Sequence, residues 1–358
     1  MCMENMVKKN SFKKFLNKKR IVIFGHSGFV GSWLTLTLSL LGAEVLGVSL
    51  KMKNKNYLSN TNEFKKKIKT ISCDLKNLNN IQSKIIKFKP EIIIHLASQP
   101  IVKSGYSNPQ KTYETNIGGT IKILEITRKI LSVKQILVFT SDKVYSNTSN
   151  KTLTEISKLG GHDPYSASKS AQDIIAQSYG FSFFKKSKII ILRSGNIIGG
   201  GDWAENRIIP DIVRSYLNKT VLKLRSVNST RPWIHIFDVI NAILLIITKK
   251  NKLTQNTIFN LSPKIRKQIS VKKIINLILN NTTITKIKMK KINNDIKEKK
   301  YLHISSNKAQ TTIPWSTKLD LKIALKLTVS FYLLNRNKTY DEAIGQIRNY
   351  FLGKNKNT

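Results

Sequence analysis

A short β-branched strand, a glycine-spaced turn and an apolar helix follow one another near the start of the chain, and that succession admits few folds. Arg20 to Phe24 (RIVIF) reads as the strand, Gly25 to Gly31 (GHSGFVG) as the turn and Ser32 to Leu41 as the helix. Glycines three apart let the backbone turn tightly, come close to a pyrophosphate and pack the helix onto the strand. The helix N-terminus then faces the phosphates. The spacing is G-x-x-G-x-x-G rather than G-x-G-x-x-G, so the motif draws its weight from its place between a strand and a helix. It predicts a dinucleotide site on Gly25, Gly28 and Gly31.

Further strands follow at intervals that leave room for a helix between them. Glu44 to Leu50 reads as the second, Thr70 to Leu75 as the end of the third, Glu91 to Ala97 as a buried fourth. Gln135 to Thr140 and Lys188 to Leu192 supply two more. Strands separated by helix-length segments imply parallel βαβ units. The expected class is α/β: a Rossmann-type, doubly wound parallel sheet with a smaller C-terminal substrate-binding lobe. Ligands in such sheets bind beyond the carboxyl ends of the strands, where Gly25, Asp74, Ala97-Ser98, Ser141 and Arg193 to Asn196 fall.

Two segments carry chemistry. Tyr165-Ser166-Ala167-Ser168-Lys169 sets a phenol and an ammonium one helical turn apart, on one face. An ammonium beside a phenol favours phenolate, so Tyr165 is expected to have a lowered pKa and to act as a base toward a sugar hydroxyl. Thr140-Ser141-Asp142-Lys143 adds a hydroxyl, a carboxyl and a second amine at the end of the fifth strand. A simple alcohol dehydrogenase has no need of that extra acid and amine; an enzyme that also removes water does. Against this stands the plainer reading, with Asp142 capping a turn and Lys143 a solvated charge.

Composition sets outer bounds. The chain has 358 residues, room for one large core and a lobe. Residues 1–195 and 235–265 are assigned to the dinucleotide-binding domain, and 196–234 with 266–358 to the lobe. The first eighteen residues and the last five read as loose. The stretch Ile284 to Lys300 reads as a short strand and a loop. The formal charge is +42, yet the lysines are spread along the whole chain beside abundant asparagine and isoleucine. No motif that reads nucleic acid accompanies them, so a specific nucleic-acid partner is not expected, and the charge serves to attract anionic ligands. Two cysteines, Cys2 and Cys73, argue against a disulfide framework and fit a reducing cytoplasm. Ser32 to Leu50 is interrupted by Gly42 and Glu44, so no membrane span is expected. No histidine or cysteine cluster has metal-ligand spacing. His95, near the end of a buried strand, reads as a packed histidine rather than a catalyst.

The sequence resembles the extended short-chain dehydrogenase/reductase family, and within it the nucleotide-sugar 4,6-dehydratases. The likeness runs from about residue 12 to about residue 245. It rests on Gly25 to Trp33 (GHSGFVGSW), His95 to Pro100 (HLASQP), Tyr113 to Thr120 (YETNIGGT) and Thr140 to Tyr145 (TSDKVY). Gly160 to Lys169 (GGHDPYSASK), Arg193 to Ala204 (RSGNIIGGGDWA) and Arg231 to His235 (RPWIH) complete it. The Asp-Lys pair and the GGGDW run resemble members acting on CDP-glucose; relatives acting on dTDP-glucose carry Asp-Glu, and epimerases carry small residues. The chain departs from the family at Phe24, usually threonine, and at His162, usually tyrosine, and Ser141 stands where relatives acting on dTDP-glucose use threonine. No carboxylate closes the second strand, where Ser49, Leu50 and Lys51 stand, so that position does not choose between NAD and NADP.

What the resemblance implies is specific. NAD is the cofactor, held by Gly25, Gly28, Phe29, Val30, Gly31, Asp74, Leu75, Leu96, Ala97, Ser98, Thr115, Tyr165 and Lys169. Ser141, Tyr165 and Lys169 oxidise carbon 4 of a nucleotide-linked glucose. Lys143 then takes the proton from carbon 5 and Asp142 protonates the departing 6-hydroxyl. Gln99, Asn196, Arg207 and Arg231 hold the nucleotide sugar, with Arg193 a further candidate for its diphosphate. Helices near Tyr106–Leu131 and Tyr165–Tyr179 pair two copies into a homodimer. The rivals are a dehydratase or 4-epimerase for a dTDP-, GDP- or UDP-sugar, and a non-catalytic NAD-binding protein; Asp142-Lys143 argues against the epimerase, and an intact Ser141, Tyr165 and Lys169 against the last.

Overall fold

The computed structural model describes residues 11–53, 56–146, 151–249, 253–264, 269–292 and 301–353. Cys2 and the lysine-rich 293–300 lie outside the described residues. Seven parallel strands form the central sheet: β1 (Arg20–Phe24), β2 (Glu44–Ser49), β3 (Lys69–Ser72), β4 (Ile92–His95), β5 (Gln135–Phe139), β6 (Lys188–Ser194) and β7 (Thr257–Leu261). Their order is β7-β6-β5-β4-β1-β2-β3. The order reverses between β1 and β4, which pair in register with Phe24 opposite His95. That reversal opens a crevice at the carboxyl ends of the two strands.

The β-branched runs explain the sheet. Ile21 and Ile23 point into one apolar layer, Val22 and Phe24 into the other, and all four are fully buried. A strand covered on both faces needs a continuous apolar run, as β1 has. The flanking helices include α1 (Phe29–Leu40), α2 (Gly119–Arg128), α3 (Pro164–Ser182) and α4 (Ile236–Thr248). Helices α1 and α4 fill the first layer; α2 and α3 cover the second. Asp163 caps α3 by accepting from Ser166 N at 2.9 Å, and Pro164 occupies its first turn. This fixes where Tyr165 and Lys169 leave the helix.

A separate apolar cluster unites Ile198, Ile212, Leu222 and Trp233 with Ile274, Ile278, Leu325 and Val329. The strand Leu222–Leu224 pairs in parallel with Met289–Lys291, so the short strand expected within 284–300 is present. Part of the C-terminal region returns to the first core. Trp315 Nε1 donates to Asp238 O at 2.8 Å, and Tyr350 Oη donates to Asp238 Oδ1 at 2.6 Å.

The N-terminal expectation needs correction. Residues 11–16 are helical, and Phe12 and Leu16 are buried in the first layer. Their apolar side chains, spaced four apart among lysines, give even this short segment a face to bury.

Candidate active site

One cavity of about 840 Å³ lies between the strand ends and the lobe. Its dinucleotide side is a glycine cradle. Gly25 has φ +88°, and a Cβ there would sit 2.6 Å from Ala97 N. A Cβ on Gly31 would sit 2.0 Å from Gly25 O, so helix and turn touch only because Gly31 lacks a side chain. Gly28 is the N-cap of α1, with no side-chain cap and no acidic residue in the first turn. The first N–H groups of α1 therefore face the cavity uncompeted, as an anionic pyrophosphate requires.

Gly25, Gly28, Phe29, Val30 and Gly31 line this side, with Asp74 and Leu75 after β3, Leu96, Ala97 and Ser98 after β4, and Thr115. Asp74 accepts from Lys76 N at 2.9 Å and so fixes the turn that follows β3. At the end of β2 the hydroxyls of Ser49 and Ser27 lie 2.7 Å apart, and both residues line the wall. Lys51 is exposed and is not part of the wall.

Ser141, Asp142, Lys143, Tyr165 and Lys169 converge on the same cavity. Ser141 is the N-cap of the 3₁₀ turn Asp142–Val144; its Oγ donates to Asp142 Oδ1 at 3.0 Å and accepts from Lys143 N at 3.2 Å. Asp142 is 2% exposed, while Lys143 is half-buried. Burial pushes the Tyr165 phenol up to about 12; the Ser141 hydroxyl and the charge of Arg207 pull the other way. Burial pushes the Lys169 ammonium down to about 7, against the opposing charge of Asp173. Lys169 Nζ donates to Gln172 Oε1 at 2.8 Å and to Phe139 O at 3.3 Å. The expectation of an ammonium that lowers the phenol pKa is therefore not met. Loss of hydration dominates both groups and moves each toward its neutral form.

Asn196, Arg207 and Arg231 also line the wall. Arg207 pairs with Asp202 at 2.6 Å, and Arg231 Nη1 donates to Thr230 O at 2.8 Å. Gln99 and Arg193 are the two expected site residues not brought to the wall; Gln99 sits in the loop after β4. Its Oε1 accepts from Ile101 N at 2.5 Å and its Nε2 donates to Thr112 Oγ1 at 2.9 Å, so it braces the loop after β4. Arg193 is 1% exposed and forks onto Asp173 at 2.8 and 2.7 Å. It fastens β6 to α3 and is not part of the wall. Among residues the sequence reading did not single out, Lys223 and Arg225 reach the wall from the lobe. Their flanking of Leu224 was the available signal, obscured by so many other basic residues. Nine basic and four acidic residues line the cavity, which favours anionic ligands.

A Rossmann sheet, a glycine cradle and a serine–tyrosine–lysine set at the strand ends define an extended short-chain dehydrogenase/reductase. The sequence model of the NAD dependent epimerase/dehydratase family matches residues 21–262, and the chain belongs to that family, with NAD as its cofactor. Among curated proteins it is 36% identical over 242 residues to a CDP-glucose 4,6-dehydratase of Salmonella typhimurium, covering 65% of this chain and 67% of the relative. It is 30% identical over 250 residues to a dTDP-D-glucose 4,6-dehydratase of Dictyostelium discoideum, covering 64% of this chain and 56% of that one. Among solved structures, DesIV, a dTDP-glucose 4,6-dehydratase of Streptomyces venezuelae with NAD and TYD bound, superposes with a TM-score of 0.79. It is 19% identical and covers 90% of this chain and 99% of its own. No helix among the described residues is long and apolar enough to cross a membrane.

Proposed function

We propose that the protein converts CDP-glucose to CDP-4-keto-6-deoxyglucose, with loss of water. One observation carries this reading: the turn Ser141-Asp142-Lys143 brings a buried carboxyl and an amine to the cavity that also holds Tyr165, Lys169 and the glycine cradle. The 36% identity to a CDP-glucose 4,6-dehydratase supports the choice of nucleotide. NAD, when bound, supplies an acceptor that takes hydride from carbon 4 and returns it to carbon 6. Tyr165 receives the proton of the 4-hydroxyl as phenolate, the form that the Ser141 hydroxyl and the positive charge of Arg207 favour against burial, with Ser141 hydrogen-bonded to the reacting oxygen. Lys169 holds charge behind the phenol and binds the nicotinamide ribose. A ketone at carbon 4 acidifies the proton on carbon 5, which Lys143 removes as an amine. Asp142 delivers its proton to the 6-hydroxyl, which leaves as water. Asn196, Arg207 and Arg231 bind the nucleotide sugar, the guanidinium forks facing its diphosphate.

The same reading makes the protein a cytoplasmic homodimer that feeds deoxyhexose synthesis for a surface polysaccharide such as O-antigen lipopolysaccharide. The lobe is built from 196–234 and from the part of 266–358 that joins the separate apolar cluster, while Ala309, Trp315, Ala343 and Ile347 pack in the first core, so the assignment of all of 266–358 to the lobe is too wide. Incubation of the protein and NAD with CDP-glucose in deuterated water tests the reaction. Mass spectrometry and NMR should show loss of one water, deuterium at carbon 5 and no net reduced cofactor. Tyr165→Phe should abolish turnover and still bind NAD. Unchanged CDP-glucose, with dTDP-, GDP- or UDP-glucose converted instead, would refute the nucleotide; a 4-epimer as product would refute the dehydration.

A further inference from the structure

Behind the cavity lies a polar cluster that the proposed reaction does not use. His95, Thr120 and Gln172 are each 0% exposed, yet they sit on three different elements: the end of β4, α2 and α3. Gln172 Nε2 lies 3.0 Å from Thr120 Oγ1 and 3.1 Å from His95 Nε2. Thr120 Oγ1 lies 2.8 Å from the same His95 nitrogen and donates to Asn116 O at 2.7 Å. A buried polar group without a partner costs about 1–3 kcal/mol, so such a cluster persists where it is tied to something. Here the tie is the bond from Lys169 Nζ to Gln172 Oε1.

An amide has one acceptor end and one donor end. The ammonium takes the Oε1 end, which sends Nε2 back toward His95 and Thr120. Thr120 Oγ1, whose own proton goes to Asn116 O, accepts that donor at 3.0 Å. His95, held neutral because burial pushes its imidazole down to about 3, has its Nε2 2.8 Å from the same oxygen and so donates to it. The orientation of the amide is thus set from both sides. An ammonium has three N–H donors. Two go to Gln172 Oε1 and Phe139 O, and the third is left for the cavity that Lys169 lines.

The geometry points to Gln172 as a positioning residue for Lys169: its amide, locked by Thr120, keeps the ammonium charged and its third donor turned into the cavity. The inference rests on the role given to Lys169 in the proposed function, but its test does not need turnover. The groups facing the ammonium are His95 on β4, Thr120 on α2, the Phe139 carbonyl on β5, and Gln172, Asp173 and Tyr165 on its own helix. Of these, Asp173 is the carboxylate; it lies four residues on, on the same face of the helix, and its charge favours the ammonium even while it holds the fork of Arg193.

The experiment is an NMR titration of the full-length protein labelled with [ε-¹³C]lysine. The Lys169 signal is assigned by its loss in Lys169→Arg. Wild-type Lys169 should titrate near 7, well apart from surface lysines. Gln172→Met keeps the length of the side chain and removes the acceptor. It should lower the Lys169 midpoint by about one pH unit, the scale of one charge-assisted hydrogen bond, and weaken NAD binding in equilibrium dialysis at neutral pH. Gln172→Glu restores an acceptor with a charge and should raise the midpoint above that of wild type. A midpoint in folded Gln172→Met that matches wild type overturns the inference. If that variant does not fold, a Gln172→Glu midpoint at or below wild type overturns it instead. Failure to convert CDP-glucose, with the midpoints moving as stated, would reject the proposed substrate and leave the positioning role standing.

Discussion

Lys169 is held in the folded protein at a cost that should be visible in stability, independent of any substrate. The residue is 3% exposed, and burial lowers its pKa from the ordinary 10.5 to about 7. Between those values the unfolded chain holds the lysine proton and the folded chain does not. Folding stability therefore rises with pH from about 7 toward 10.5, and below 7 the full penalty of burying the ammonium applies. Integrating the difference in bound protons from about pH 7 to about pH 9 gives roughly 2 kcal/mol of added stability from this one group. Lys169→Met removes the titration. Its lost bonds to Gln172 and Phe139 alter stability at every pH, so they cancel in the difference between two pH values. The other lysines titrate alike in both proteins and cancel as well. Urea unfolding followed by tryptophan fluorescence, at the two pH values and constant ionic strength, should show wild type gaining roughly 2 kcal/mol more than Lys169→Met. Equal gains would refute the depressed pKa of Lys169. A larger gain in the variant would reverse its sign.

Two further outcomes follow from single contacts. Asp173→Asn leaves Arg193 charged, buried and without its fork, and should cost about 3–5 kcal/mol in urea unfolding; a loss under about 1 kcal/mol would mean the pair is hydrated rather than buried. Gly31→Ala puts a methyl 2.0 Å from Gly25 O and should weaken NAD binding about tenfold or more, read by equilibrium dialysis; unchanged affinity would show that the cradle is not the pyrophosphate site.

The fold was legible because its signals are local. The run Ile21 to Phe24 has the continuous apolar character of a strand buried on both faces, and Gly25 and Gly31 stand where the backbone cannot carry a Cβ. Helix α1 begins at Phe29, three residues before the expected Ser32, because Gly28 rather than a side-chain cap starts it. The seventh strand, Thr257–Leu261, was not singled out; its six-residue neighbourhood has no glycine turn to mark it, and only pairing with β6 defines it. Arg193 shows the limit for single residues. A basic residue at a strand end reads as a phosphate ligand, and nothing in its sequence neighbourhood reveals that Asp173 waits on a helix twenty residues earlier. The same limit hid Gln99, whose partners Thr112 and Ile101 turn it into a brace.

The protonation of Tyr165 and Lys169 exposes a deeper limit. Spacing by four residues on a helix guarantees that two side chains share a face, and from that proximity alone an ammonium should favour phenolate. Which term governs depends on what closes over the face. Here β4, β5 and α2 shut out water and supply His95, the Phe139 carbonyl and Thr120, so dehydration outweighs the pairwise charge and drives both groups toward neutrality. A neutral phenol beside a lysine poised near 7 is a pair in which modest positive charge shifts both protons. Arg207, reaching in from the lobe, already acts on the phenol in that direction. The residue types were written in the chain, but the balance between them is set by elements distant in sequence, and no spacing rule could have supplied it.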